Sequence, residues 1–352
     1  MDFELLRDIL RKEFIGMEVN QYENGMNGTV RLAEHHLGNL EGGTSKRLGK
    51  SGVAMFHNGK KFGEINGQVP STNDRKAIRL CNDKMEAERR MSELGLKTTD
   101  SVLLEDHEYE RAKLLIEKST GPMVLKPYNL AAGKGITLGV DITNIAFAWN
   151  QAKDAYSETN KTFKVLLQPM LPRDRNENAY SRRKVRFSNS QSSRQCHWRW
   201  ASYNRRTYIS IKNKAREDNP HLKRLPLNVD KAVKYNLERT GKDVDTIPES
   251  DEIVFLHSSS NISLGGDSYE ISHLINENMK IKAEKAVCAI PGISTAGVDI
   301  MFESFDEENP AILEINPGAN LRMHHYPWKG EPKFSVFNLV ERMLDKHLSP
   351  DV

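Results

Sequence analysis

Cysteine and long apolar runs are both scarce in this chain, and each scarcity excludes a class of protein. The 352 residues include three cysteines, Cys81, Cys196 and Cys288, which lie far apart and match no metal-binding or redox spacing. No apolar run approaches the ~20 residues that a membrane-spanning helix needs. The N-terminal stretch MDFELLRDILRKEF mixes charges of both signs, as an amphipathic helix does, and lacks the pattern of a signal peptide. These features predict a cytoplasmic protein without a disulfide scaffold and without a membrane partner.

The chain also lacks the two commonest phosphate-binding motifs, the P-loop and the dinucleotide-binding GxGxxG fingerprint. In their place stands KPYNLAAGKGI, a lysine at the exit of an apolar strand followed by a glycine-rich loop. Gly133 and Gly135 would let backbone N–H groups approach phosphate oxygens, and Lys126 and Lys134 would supply positive charge. An ordinary glycine turn is the alternative interpretation of this loop.

The run ILEINPGANLRMHH, residues 312–325, carries the strongest chemical signal. Glu314 and Asn316 alternate along an apolar strand, so both side chains should point to the same face. Asp299, in the apolar run GVDIMF just upstream, adds a third hard oxygen ligand of the kind that Mg²⁺ takes. Arg322 and His324 follow within reach of the same site. The alternative is a structural strand with one polar edge and a solvated turn.

Helical and strand patterns alternate along the chain without an internal repeat, which favours an α/β or α+β fold. Residues 1–80 contain Gly- and Asn-rich turns and little clear periodicity. Asn82 or Asp83 is expected to cap a helix through KMEAERRMSEL that ends at Gly95. The apolar runs GVDIMFE and AILEIN, separated by FDEENP, predict two strands joined as a hairpin. A chain of this length can bury a large core divided among two or three lobes.

From about residue 75 to 345 the motifs follow an order that resembles the ATP-grasp ligases, in particular the ATP-grasp domain of cyanophycin synthetases and bifunctional glutathione synthetases. CNDK resembles the lysine-bearing segment that opens their ATP site, and VLKPYNLAAGKGITL resembles their phosphate-covering loop. VLLQPMLP is similar to their adenine hinge, and NISLGGDSYEIS to their N-x-S-T-G-G-x-x-x-D-x-T stretch. GVDIMF and ILEINPGANLRMH resemble their metal-binding strands and substrate loop, and this last motif is the most specific.

Three positions depart from the family pattern: Gln168 replaces Glu at the hinge, Leu264 replaces Thr, and Glu270 replaces Asp. No P-loop half like that of the Mur ligases follows, so we do not expect a complete cyanophycin synthetase.

The resemblance implies an α+β protein with the ATP-grasp fold, in which ATP lies between two antiparallel sheets. We expect an N-terminal lobe at about 1–80 and an ATP-grasp domain at 81–345. Within that domain, 81–170 would form the central nucleotide-binding lobe and 211–345 the C-terminal lobe that binds metal and substrate.

The resemblance also assigns roles to single residues. Asp299, Glu314 and Asn316 would bind Mg²⁺, with Mn²⁺ as an alternative metal. Arg322 would hold the acyl phosphate or the substrate carboxylate, and His324 would accept the amine proton or make a structural hydrogen bond. The residues expected to bind ATP are Lys84, Lys126, Gly133, Lys134, Gly135 and Gln168.

The function implied is an ATP-dependent carboxylate–amine ligase that forms an amide or peptide bond through an acyl phosphate. Its partner would be an amino-acid or peptide substrate. The chain could also form a homo-oligomer. An ATP-binding protein without ligase activity is the alternative. The sequence identifies neither the acid nor the amine.

One segment does not fit this resemblance. Residues 173–208 carry ten Lys or Arg against two acids, a balance of +8, whereas the whole chain is +3, so the remainder is +3 − 8 = −5. The segment shows no apolar alternation, and we therefore expect that it cannot supply a half-buried strand. A basic arm that stacks nucleic acid on Trp and Tyr is one interpretation. We disfavour a nucleic-acid partner because it depends on this segment alone. A disordered insertion is disfavoured too, because the segment replaces family sequence.

A shifted reading frame explains the segment better. Trp has a single codon, TGG, so a shift by one base turns both Trp198 and Trp200 into Gly, and Arg199 between them can become Asp. SSRQCHWRW can then be respelled as APANVIGDG, which is the family motif that is missing here. In that frame, arginines of the family would fall at positions 177 and 191, where the chain has Glu177 and Gln191. We therefore hypothesise that residues 173–208 are frame-shifted.

Overall fold

The structure is a computed structural model. It describes the whole chain except residues 1–3, 15, 24, 131–132, 172–173, 182–183, 193–194, 198–204, 239, 248–251, 257–261 and 350–352. At positions 4–5, 232 and 264, and within the described parts of 174–208, the description is limited to the backbone.

The N-terminal region combines two short helices with an antiparallel sheet. Helix α1 (Glu4–Ile9) runs into a π-helical turn (Leu10–Phe14), and α2 (Thr29–Gly38) follows. The sheet, in the order β1-β2-β3-β4, consists of Gly43–Leu48, Gly52–His57, Lys60–Asn66 and Val69–Pro70.

The sequence indicated turns in this region but no strands. The reason is that β1 is almost wholly exposed while most of β2 is buried. Neither strand therefore shows the alternation of apolar and polar residues that identifies a half-buried strand.

The central lobe is a second antiparallel sheet covered by helices. Its elements are β5 (Val102–Glu105), α5 (Tyr109–Lys118), β6 (Met123–Pro127), β7 (Thr137–Val140), α6 (Ile145–Ser157) and β8 (Lys164–Pro169). The preceding helices α3 (Arg75–Asn82) and α4 (Lys84–Glu93) pack instead in the core of the C-terminal sheet, through residues such as Ala77 and Met91. The strand order is β5-β8-β6-β7. Apolar residues of α5 and α6, among them Ala112 and Trp149, pack on Leu125 and Leu167 of the sheet. The expected start of α4 is confirmed, because the Asp83 side chain accepts a hydrogen bond from the backbone N–H of Glu86.

The C-terminal lobe is built on a five-stranded antiparallel sheet with the order β13-β10-β9-β14-β15. Its strands are β9 (Asp174–Ser181), β10 (Lys184–Ser192), β13 (Asp267–Glu270), β14 (Thr295–Phe302) and β15 (Ala311–Asn316); β11 (Gln195–His197) and β12 (Ile253–Phe255) form a separate pair. The helices are α7 (Arg205–Arg216), α8 (Lys231–Glu238), α9 (Glu277–Cys288), α10 (Arg322–His325) and α11 (Ser335–Leu348). The predicted β14–β15 hairpin is antiparallel, as expected.

We expected that residues 173–208 cannot supply a half-buried strand; their described backbone does form strands, whereas the burial of their side chains lies outside the description. Strand β9 pairs with β14 from Ser181–Thr295 to Asp174–Phe302, and β10 pairs with both β9 and β13. A ladder is made by backbone N–H and C=O groups, so it does not require alternating side chains in each strand. The expectation for residues 172–173, 182–183, 193–194 and 198–204 lies outside the described residues. The shifted reading frame stays a prediction.

The two ends of the chain pack on each other. Helix α11 buries Val336, Val340 and Met343 in the same core as Met55 and Ile65 of the N-terminal sheet. The contact is close, since a Cβ added at Gly63 would lie 2.4 Å from the Met343 methyl. Asn20, Tyr22 and Met26 also hydrogen-bond to Pro327 and Tyr326, which holds this segment beside the end of α10. Among the described helices, none is both long enough and apolar enough to cross a membrane.

Candidate functional site

The end of the β14–β15 hairpin brings the predicted metal ligands together. Asp299 and Glu314 lie directly opposite each other in the ladder, so their side chains share a face, and Asn316 lies on the same face two residues further along β15. The Asn316 Nδ2 group donates to Glu314 Oε1 at 3.2 Å. The Asp299 side chain is buried, whereas Glu314 and Asn316 are partly exposed. Two carboxylates and an amide oxygen form a set of hard donors that fits Mg²⁺.

Asn316 is needed to complete this set. Among the described residues there is no group of three or more His, Cys, Asp or Glu that could hold a metal ion. The role of these three residues as metal ligands therefore stays a prediction.

Lys84 reaches the same face from a different part of the chain. Its Nζ lies 2.9 Å from Glu314 Oε2, and both side chains are less than one-third exposed. Lys84 is the first residue of α4, and the preceding Asp83 is held by a hydrogen bond from the Tyr128 hydroxyl at 2.7 Å. Burial, together with the Asp83 carboxylate, raises the pKa of Tyr128 to about 12, so the hydroxyl stays protonated as a donor. The lysine predicted to bind phosphate thus compensates the charge of a predicted metal ligand.

Lys126 and Gln168 share a face of the central sheet. Lys126 of β6 lies opposite Leu166 of β8, and Gln168 lies two residues beyond Leu166, opposite Val124. Two residues on one face at this diagonal spacing can both contact the same ligand. Gln168 is buried, and its Oε1 accepts a 3.4 Å hydrogen bond from Ser101. Their roles at the phosphates and at the adenine ring stay predictions.

The glycine-rich loop has the backbone conformation that its glycines predict. Gly133 and Gly135 have φ values of 73° and 70°, in the left-handed region that favours glycine. Gly135 also packs tightly, since an added Cβ would lie 2.8 Å from the Ala155 Cβ. Lys134 is exposed and pairs with Glu158 at 3.3 Å. Lys134 therefore lies on the outside of the loop in this structure.

Arg322 and His324 lie on the short helix α10 but in different environments. Arg322 is half-buried, with Nη1 donating to Asn27 Oδ1 at 2.6 Å and Nε donating to Asn320 Oδ1 at 3.1 Å. His324 is fully buried, and burial lowers the pKa of its imidazole to about 3. The structure does not bring His324 to an exposed surface of the site, so its role as a proton acceptor stays a prediction.

No protein-family model matches the chain. It is similar to the glutathione biosynthesis bifunctional protein GshAB of Listeria monocytogenes, with 35% identity over 103 residues that cover 29% of this chain and 13% of that protein. It is also similar to the cyanophycin synthetase of Geminocystis herdmanii, with 22% identity over 285 residues that cover 77% of this chain and 31% of that protein.

Among solved structures, the chain is similar to a bifunctional glutathione synthetase from Pasteurella multocida. The TM-score is 0.60 at 18% sequence identity, and the match covers 88% of this chain and 42% of that chain. The chain has the ATP-grasp fold. The α+β class and the resemblance to ATP-grasp ligases are thereby confirmed. The chain spans less than half the length of each of these relatives, so their complete activities are not transferred to it.

The candidate site contains positioning residues that the sequence analysis missed. Asn73 is buried and donates to the backbone carbonyls of Thr295 and Pro317, at 2.7 and 3.0 Å. It therefore joins the start of β14 to the end of β15, beside the predicted metal ligands. Tyr128 holds the start of α4 in the same way. A polar residue within a turn carries no sequence signal for contacts so distant along the chain.

Proposed function

We propose that this protein is an ATP-dependent ligase that joins a carboxylate to an amine, on an amino-acid or peptide substrate. The observation that supports it best is the face shared by Asp299, Glu314 and Asn316, with the Lys84 ammonium against Glu314, in a chain with the ATP-grasp fold. Two relatives are named for glutathione and cyanophycin synthesis, which supports substrates of the amino-acid or peptide class.

The binding roles follow from the two sheets. Lys126 and the backbone of the Gly133–Gly135 loop would bind phosphate oxygens from the side of the central lobe, and Lys84 would do so from the side of the C-terminal sheet. Gln168 would hydrogen-bond the adenine ring at the end of β8. Transfer of a phosphoryl group depends on such positioning and on charge neutralisation more than on covalent chemistry by the protein.

Asp299, Glu314 and Asn316 fit a divalent cation by the chemistry of their oxygen atoms. The Lys84 ammonium pairs with Glu314 at 2.9 Å, which supports a position where the Glu314 carboxylate faces positive charge. Mg²⁺ bound by these residues would neutralise charge on the phosphates.

The reaction would proceed in two transfers. A carboxylate oxygen of the substrate attacks the γ-phosphorus of ATP, the P–O bond to ADP breaks, and an acyl phosphate forms. The nitrogen of the amine then attacks the acyl carbon, the C–O bond to phosphate breaks, and the departing phosphate takes up the proton that the nitrogen loses as the amide forms. Arg322 would orient the carboxylate or the acyl phosphate through charge-assisted hydrogen bonds. The burial of His324 favours the structural role considered for it over proton transfer.

The test is release of ADP by the purified protein, prepared both with residues 173–208 as written and with that segment in the shifted frame, with Mg²⁺, ATP and pooled amino acids and dipeptides. Glu314→Ala and the isosteric Glu314→Gln should each lower turnover by roughly 10²-fold or more, since a metal ligand contributes several kcal/mol to the stabilisation of the transition state. Both variants should keep the fold by circular dichroism. The matched control is Glu308→Gln, an exposed carboxylate in the turn of the same hairpin, which should leave turnover unchanged.

Two outcomes would contradict the proposal. Turnover by Glu314→Ala equal to that of Glu308→Gln would remove Glu314 from the site. Binding of ATP without substrate-dependent release of ADP or formation of an amide would instead indicate a nucleotide-binding protein without ligase activity.

A further inference from the structure

Arg322 is a half-buried cation whose described partners are neutral. Its guanidinium donates to the amide oxygens of Asn27 and Asn320, and no carboxylate of the described residues forms an ion pair with it. The nearby Arg216 differs, because it is buried against the carboxylate of Asp267 at 2.7 Å. Burial, reinforced by the charge of Arg224, lowers the pKa of Arg322. A partly desolvated guanidinium without a counter-ion is costly, and an anionic ligand would remove that cost.

His221 provides a second buried polar group, in the turn that Asn219 ties to the end of α10. Its side chain is 4% exposed, and its Nε2 has no hydrogen-bond partner among the described residues. Burial, and next the positive charge of Arg322, lower the pKa of His221 to about 3, so the imidazole is neutral and has one N–H to donate. A buried polar nitrogen without a partner is rare in a folded protein and requires an explanation.

Three distant segments hold these groups together. The Asn219 side chain accepts from the backbone N–H groups of His221 and Leu222 and donates to the Tyr326 carbonyl, which ties the turn of His221 to the end of α10. Residues 25–28 close the other side, because Met26 N–H donates to the Tyr326 hydroxyl and Pro220 packs directly on Gly25. Asn27, on this segment, orients the guanidinium of Arg322.

We infer that Arg322, His221 and Asn27 form a binding site for a carboxylate of the substrate, in which Asn27 brings the N-terminal segment into substrate selection. A guanidinium presents its donors as a planar fork that matches a carboxylate, and the neutral imidazole can add one N–H. The inference rests on the proposed function for the identity of the ligand as a substrate, whereas the anion site itself can be measured without turnover.

The decisive variant is Asn27→Asp, because it places a carboxylate against Arg322 at nearly constant shape. This internal counter-ion should compete with any external anion. The probe is sodium malonate, titrated against the melting temperature and compared with sodium chloride at equal ionic strength. The wild-type protein should show saturable stabilisation by malonate beyond that of chloride.

The variants should distinguish the contributions of Asn27, Arg322 and His221 to malonate binding. Asn27→Asp and Arg322→Met should each raise the apparent malonate Kd at least tenfold, and Asn27→Asp should be no less stable than wild type without malonate. His221→Phe should weaken malonate binding, while His221→Gln, which retains a side-chain N–H, should restore part of it. Arg111→Met, which removes an exposed arginine paired with Glu108, is the control and should bind malonate as wild type does.

Equal stabilisation of the wild type, Asn27→Asp and Arg322→Met by malonate would overturn the site. Inorganic phosphate that binds more tightly than malonate, with the same dependence on these variants, would overturn the assignment to a carboxylate. Failure of the ligase assay with intact, variant-dependent malonate binding would refute the proposed function and leave the anion site standing. In an active preparation, Asn27→Asp should raise the KM for the carboxylate substrate and leave ATP affinity unchanged.

Discussion

Lys84 and Glu314 are the residues whose pairing gives the site its charge balance. The ion pair joins the first turn of α4 to the last strand of the C-terminal sheet, at 2.9 Å. A partly exposed pair of this kind contributes about 1 kcal/mol or less to stability. The ion pair therefore contributes little to the stability of the fold. Its main effect is to place an ammonium group where phosphates and a divalent cation would meet.

Lys84→Met should weaken ATP binding and leave the fold stable. Loss of one charge-assisted contact to phosphate, about 1.5–3 kcal/mol, corresponds to a Kd for ATP at least about tenfold higher. The measurement is a fluorescence titration with ATP at fixed Mg²⁺, and the control is Lys76→Met, an exposed lysine on the preceding helix. ATP affinity that is the same in both variants would show that Lys84 acts only as the partner of Glu314.

The grouping of the acidic residues was predictable from the sequence, and the pairing with Lys84 was not. Glu314 and Asn316 follow the two-residue period of a strand, and the hairpin around FDEENP brings Asp299 opposite Glu314. Lys84 precedes Glu314 by 230 positions, a separation at which periodicity carries no information. His221 and Asn27 have the same limitation, because each acts through contacts that only the tertiary fold creates.

At the scale of the elements, the glycine-rich loop depends on one tightly packed backbone position. Gly135 combines a φ of 70° with contacts that an added Cβ would make at 2.8 Å to Ala155 and 3.0 Å to Pro127. Both features require glycine, one by backbone conformation and the other by space. The loop is thereby fixed to α6 and to the end of β6.

Gly135→Ala should displace this loop. We expect a loss of about 1–2 kcal/mol in the free energy of unfolding from the left-handed backbone, together with weaker ATP binding because the backbone N–H groups move. Thermal unfolding and ATP titration measure the two effects. Gly121→Ala is the matched control, since Gly121 lies in the same lobe at negative φ with open space around it. An unchanged ATP affinity in Gly135→Ala would show that the loop does not contribute to nucleotide binding.

Two groups of strands escaped the sequence analysis for different reasons. The hairpin between β2 and β3 carries a recognisable signal, the dipeptide Asn58-Gly59 with both residues at positive φ, between His57 and Lys60, which pair in the ladder. That signal was present and could have identified the N-terminal sheet. Strands β9 and β10 carry no such signal, because apolar and polar residues do not alternate along them. Their place in the sheet follows from the neighbouring strands β13 and β14.

At the scale of the whole molecule, the pairing of β9 with β14 determines which residue of β9 lies in the row of the predicted metal ligands. The ladder places residue 177 directly opposite Asp299, which itself lies opposite Glu314. As written, position 177 is Glu, so one row across three strands contains three acidic residues. In the shifted reading frame, position 177 would instead be an arginine, as in the family pattern.

We therefore propose that the native protein carries the shifted sequence over about residues 173–208, and the prediction is made at the level of the gene. Resequencing this region should reveal a compensating insertion and deletion that restore a Gly-Asp-Gly turn at Trp198, Arg199 and Trp200.

The residues outside the segment sum to −5, so a segment of ordinary charge would leave the protein acidic, in contrast to the pI of about 8.5 of the chain as written. Isoelectric focusing of the native protein distinguishes the two without sequencing. ATP turnover should be found in the corrected chain alone, because only that chain carries the arginines of the family pattern at positions 177 and 191. A gene without the paired changes, together with amide formation by the chain as written, would refute the shift.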